Sequence, residues 1–191
     1  ERGGTYVIKD LTEMESHLPP FTEDEYAIAY NNGLIIHNAI QENCNTYKSF
    51  IIPKGTYPVC YQYSDGTGRT ANEKHYIFNL ADGVKLDMQG SELWVMYDSD
   101  NKSPYDNRTD TTIYKFGGYV VGLSDVRDVE ICNGKITGER ELRSFTNSAE
   151  NQVESTTGIC MIKCCFNVHI HDMDINSFMA DSISAGGISG D

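Results

Sequence analysis

The feature of this sequence that most limits its fold is a self-similarity at an offset of 39 residues. Val129-x-Ile131 and Val168-x-Ile170 match at that spacing, Ile136 matches Ile175, Val120 matches Ile159, Leu123 matches Ile162, and Asp128 matches Asn167 just ahead of the strand. Self-similarity at a fixed period marks a repeat architecture. Residues 138–156 are nearly all polar and read as an excursion of 19 residues, which leaves 20 for the underlying turn of chain. The step from Ile159 to Ile183, 24 residues without such an excursion, agrees.

From residue 76 onward the sequence consists of short β-prone runs separated by Gly, Asn and Asp, among them Val84–Met88 and Leu93–Tyr97, with a polar loop over 98–112. Strands this short do not make a stable hairpin sheet alone. Stacked coil above coil, each would pair in parallel with its equivalents and point alternate apolar side chains into a shared interior. The expectation is therefore an all-β chain: a right-handed parallel β-helix with a short N-terminal capping helix. The cap is needed because an open first coil exposes core and an unpaired strand edge. It is placed at 31–45, where Asn31 and Asn32 can cap and Ile36, Ala39, Ile40 and Cys44 share one helical face. A short strand at Ser49–Ile52 and a Pro53-Lys54-Gly55 turn follow it. Residues 1–30 read as an irregular acidic lead-in, with a short strand near Thr5–Ile8 and capping-box spacing between Thr22 and Glu25. Residues 31–191 read as the start of the β-helix. With Glu1 at one end and a glycine-rich run to Asp191 at the other, the chain reads as a piece of a longer protein.

Charge narrows the partners. The net charge of −13 repels phosphate backbones and anionic lipid, so neither nucleic acid nor membrane is expected. No apolar run nears the roughly 20 residues that span a bilayer. The 12 tyrosines and 7 phenylalanines argue against disorder. The six cysteines lie mainly among Val, Ile and Met and read as mostly reduced, small hydrophobes.

The segment Asn31 to Gln41, continuing through Phe50-Ile51-Ile52-Pro53-Lys54-Gly55-Thr56-Tyr57, resembles the opening of pectin-lyase-like β-helix proteins, where a capping helix leads to a Pro-x-Gly-x-Tyr turn. Asn167-Val168-His169-Ile170-His171-Asp172-Met173-Asp174-Ile175 resembles their repeating coil. Within that group the chain looks most like the β-helices of tailed-phage tail spikes and fibres. The resemblance implies a homotrimer on the virion, associated with other phage tail proteins, whose exposed face recognises bacterial surface polysaccharide and sometimes depolymerises it. A secreted, extracellular bacterial polysaccharide lyase or glycoside hydrolase is the second reading. A purely structural tail component is the third.

Glycoside hydrolysis uses two carboxylates about 5 to 9.5 Å apart, a separation that strands about 4.8 Å apart can supply. The candidates are Asp172, Asp174 and Asp181, with Glu139, Glu141, Glu150 and Glu154 in the polar excursion; the plainer reading makes them solvated turn residues. For sugar contact the candidates are Arg140, Arg143, His169, His171 and Trp94. Against this, the arginines could be salt-bridged to neighbouring glutamates and Trp94 could pack in the core. His169 and His171 share an outer face, near Cys164, Cys165 and Asp172, but the spacing fits no standard zinc pattern. No metal and no cofactor is expected. No phosphate-binding, dinucleotide or nucleophile-elbow motif is present.

Overall fold

The computed structural model describes residues 3–61, 75–98, 103–104, 118–143 and 156–186. Its elements run β1 (Thr5–Val7), α1 (Glu23–Asn43), β2 (Ser49–Ile51), β3 (Thr56–Val59), β4 (His75–Asn79), β5 (Lys85–Asp87), β6 (Glu92–Val95), β7 (Gly118–Ser124), β8 (Arg127–Thr137), a 3-10 turn at Arg140–Leu142, β9 (Thr157–Ile162), β10 (Phe166–Asn176) and β11 (Ile183–Gly186). Every pair among these strands is parallel. One sheet is ordered β1-β2-β5-β8-β6-β3, with β10 also paired to β8; the second is ordered β11-β9-β7-β4.

The helix begins eight residues before the expected Asn31. Thr22 is its N-cap, and the capping box is complete: Glu25 N donates to Thr22 Oγ1 at 3.3 Å and Thr22 N donates to Glu25 Oε2 at 2.7 Å. Asn32 is not a cap. It is 1% exposed inside the helix, and its side chain accepts from Thr12 N and donates to the carbonyls of Thr12 and Pro58. That network ties the lead-in and β3 to the helix. Ile36 and Ile40 are fully buried in the main core with Phe50, Leu86, Leu93 and Ile131, and α1 packs on β3 and β4.

The expected all-β, right-handed β-helix solenoid with a short cap is corrected by this architecture. The fold is mixed α/β: two parallel sheets, one curled as a half-barrel, and, among the described residues, a single α-helix of 21 residues that forms part of the core. The physical reason lies in the spacings. Parallel partners are separated by 36 residues between Ser49 and Lys85, by 45 between Lys85 and Glu130, and by 24 between Ile159 and Ile183. A solenoid rests on one repeated unit, and these pairs share no common period. The 39-residue similarity is the register of one strand pair. Val168 does pair with Val129, Ile170 with Ile131 and Ile175 with Ile136. The companion match of Val120 to Ile159 is displaced by one residue, because Val121 is the partner of Ile159.

No helix among the described residues is long and apolar enough to cross a membrane. All six cysteines are free thiols.

Candidate functional site

β8 and β10 carry the exposed polar face of the larger sheet, and their sequences show why. Val129 and Ile131 point into the core, so Glu130 and Cys132 point to the opposite face by strand alternation. The chain then turns at Asn133, whose φ is +60°, and Lys135 and Ile136 resume the alternation along β6 instead of β5. β10 bends at the equivalent place, Asp172, with φ +53°. Asp128 and Asn167, which share one register position between the Arg127–Phe166 and Val129–Val168 pairs, are left-handed too, at +55° and +53°. Asn and Asp tolerate this region better than other side-chain-bearing residues. The corners also bond to each other, since Asn167 Nδ2 donates to Asp128 Oδ1 at 2.6 Å.

Register then sets two transverse rows. In the first, Lys85, Glu130 and His169 are successive partners; in the second, Asp87, Cys132 and His171. Lys85 Nζ donates to Glu130 Oε1 at 2.6 Å, and His171 Nε2 lies 3.2 Å from the same oxygen. His171 Nδ1 lies 2.8 Å from Asp172 Oδ2. The Cys132 thiol donates to Glu130 Oε1 at 3.7 Å, and Asn133 Nδ2 reaches both the Cys132 sulfur, at 3.5 Å, and Asp87 Oδ1, at 3.1 Å.

The electrostatics follow from these contacts. The hydrogen bond from Lys85, then that from His171, holds the Glu130 carboxyl below its ordinary value despite some desolvation. Glu130 in turn raises the Lys85 ammonium. Asp172 first and Glu130 second raise the His171 imidazole. Burial pushes the Cys132 thiol up.

Beside these rows lies an open depression of about 390 Å³ lined by Lys48, Asp82, Gly83, Arg127 and Asp128. Arg127 N donates to Asp82 Oδ1 at 2.8 Å, and His169 Nε2 lies 3.0 Å from Asn167 Oδ1. Depression and rows thus form one continuous surface running through Asp82, Arg127, Asp128, Asn167 and His169.

The sequence-derived candidates fall in different places. His169, His171 and Asp172 are exposed and lie on this surface. Asp174 is exposed further along β10, where it accepts from Asn176 Nδ2 at 2.9 Å. Asp181 is exposed ahead of β11, and its backbone carbonyl accepts from Gly158 N. Arg140 is exposed in the 3-10 turn, away from these rows in the chain, its backbone bonded to Ser177 O. Arg143 is buried: its guanidinium meets Glu139 Oε1 at 2.8 and 3.2 Å and sits 4.3 Å from the centre of the Tyr97 ring. Trp94 is 1% exposed and donates from Nε1 to Met14 O, so it packs in the fold and offers no face to a sugar. Glu150 and Glu154 lie outside the described residues.

Sequence reasoning missed Lys85, Glu130, Cys132 and Asp87 as members of this face. The signal was present for two of them. The same 39-residue offset that pairs Val129 with Val168 carries Glu130 to His169 and Cys132 to His171.

Comparison with known proteins adds no relative: no protein-family model, no curated protein and no solved structure matches this chain.

Proposed function

We propose that the chain is a polysaccharide-recognition module that acts outside the cell, in a phage tail appendage, and that it engages bacterial surface glycan through the polar face of β5, β8 and β10. The observation that carries this reading is the continuous outward-facing line of donors and acceptors fixed on a parallel sheet. Strands about 4.8 Å apart present such groups at a regular step. A rigid, repeating, shallow surface suits an extended polymer better than a compact metabolite, which takes a deep and largely apolar pocket. The net charge of −13 argues against phosphate-rich polymers, while Lys48 and Arg127 supply local cations at the depression. The reading includes self-association into a homotrimer, which would place several such faces on one particle and raise avidity.

The test is binding of the purified chain to a panel of neutral and acidic capsular and O-antigen polysaccharides, by calorimetry and by retention on immobilised glycan. At least one glycan is expected to bind, and the combined variant Lys48→Ala, Arg127→Ala, His169→Ala should lose at least about tenfold in affinity. These side chains lie at the surface, so the fold should be unaffected, and circular dichroism checks that. Absence of binding across the panel, or a variant that binds as the parent does, would overturn the reading. Light scattering reads the trimer independently.

A further inference from the structure

We propose that Glu130, Cys132 and His171 form a binding site for a divalent transition metal of the zinc type, with three protein ligands and a fourth position facing solvent. The inference goes beyond glycan recognition and does not depend on it.

A tetrahedral zinc ion with bonds of about 2.0–2.1 Å to N and O and about 2.3 Å to S spaces its N and O ligands about 3.3 Å apart and its S and O ligands about 3.5 Å apart. Here His171 Nε2 and Glu130 Oε1 are 3.2 Å apart, and Cys132 Sγ and Glu130 Oε1 are 3.7 Å apart. All three candidate ligand atoms lie within 4.8 Å of one another. Two of the three ligand spacings are therefore close to those a metal would impose, and the strand register that pairs His171 with Cys132 brings the third ligand atom within 4.8 Å.

The surroundings have the right chemistry as well. His171 Nδ1 is held 2.8 Å from Asp172 Oδ2. A carboxylate on the far nitrogen fixes the tautomer that leaves Nε2 as the donor to metal, and it raises the ligand's basicity. Asn133 Nδ2 points at the Cys132 sulfur, where it can stabilise a thiolate. Asp87, bonded to the same amide, adds negative charge nearby. A mixed S, N and O set suits Zn²⁺ or Co²⁺ rather than Mg²⁺ or Ca²⁺, which prefer oxygen alone. One cation already uses Glu130: the Lys85 ammonium, 2.6 Å from Oε1. It is partly exposed on a flexible stem and can swing away, so it acts as a competitor whose removal should favour the metal.

The decisive experiment is titration of the reduced, chelator-stripped chain with Co²⁺ alone. The expected result is one tightly bound ion, with a thiolate-to-cobalt charge-transfer band and tetrahedral d–d absorption, both bleached by Zn²⁺. His171→Ala should weaken binding by roughly a hundredfold or more, since even outer partners of metal ligands are worth roughly 10–100-fold. His169→Ala and the double variant Cys164→Ser, Cys165→Ser should bind as the parent does. Lys85→Met should bind more tightly. Cys132 is buried, so Cys132→Ser is read only alongside its circular dichroism, and the variant at the exposed His171 decides the matter. Lack of a stoichiometric charge-transfer band would overturn the site. So would a His171→Ala variant that keeps it, or loss of the band in the Cys164, Cys165 variant.

Discussion

Glu139 is fully buried, yet it is an ionisable carboxylate. Its charge is tolerated because both oxygens are engaged, Oε1 by the Arg143 guanidinium and Oε2 by the Tyr61 hydroxyl at 3.1 Å. Arg143, 8% exposed, is further covered by the Tyr97 ring. A buried pair of this kind is costly to break from one side, because the remaining partner keeps a charge with nothing to neutralise it. Arg143→Met should therefore lower unfolding free energy by about 3–5 kcal/mol, read as a fall in the urea midpoint. Replacing Glu139 and Arg143 together with apolar residues of similar size should cost much less. A single variant that loses under about 1 kcal/mol would mean that water reaches the pair. The same residues explain why a sugar-contacting role for Arg143 was attractive in the sequence and is not what the fold uses. A polar loop rich in Arg and Glu looks solvated until the partner aromatics, Tyr61 and Tyr97, are brought to it from more than 40 positions away in the chain.

At the scale of elements, α1 depends on its first turn. Three acidic residues, Glu23, Asp24 and Glu25, sit at the positive end of the helix, and Glu25 also closes the capping box. The backbone N–H of Thr22 is the main cause that holds the Glu25 carboxyl below its ordinary value of 4.5. A depressed carboxyl stabilises the folded chain fully above that ordinary value and loses the contribution as pH falls through the lower folded value. Thermal melts should thus separate the parent from Glu25→Gln at neutral pH, with the parent more stable, and the gap should close on acidification below the ordinary value. Thr22→Ala should cost about 1 kcal/mol. Much of this element was legible: the Thr-x-x-Glu spacing and the apolar positions Ile36 and Ile40 are local signals. Its true start was obscured because Asn31-Asn32-Gly33 reads as a cap in isolation, whereas Asn32 is spent on long-range bonds to Thr12 and Pro58. The register of β8 with β10 was legible for the same local reason, a repeated Val-x-Ile with an Asx ahead of it. The polar face was not, because Lys85, Glu130 and His171 become neighbours only through pairing, and no spacing within one strand reports it.

For the whole molecule, the parallel arrangement has a cost in time. A parallel pair needs a crossover, and the strand pairs described here join positions at least 24 residues apart in the chain. No adjacent hairpin exists among them to serve as an early foothold. Each pairing has to close a long loop before any contact rewards it, which places such topologies at the slow end of folding. Stopped-flow refolding from urea should show its main phase in milliseconds to seconds or slower; a chain that recovers its tryptophan signal in microseconds would contradict this. While that search lasts, β-strand edges and apolar faces stay open to other copies. Recovery of native protein should therefore fall as the refolding concentration rises, so that the parallel register which creates the polar face also sets the conditions under which the chain can be made.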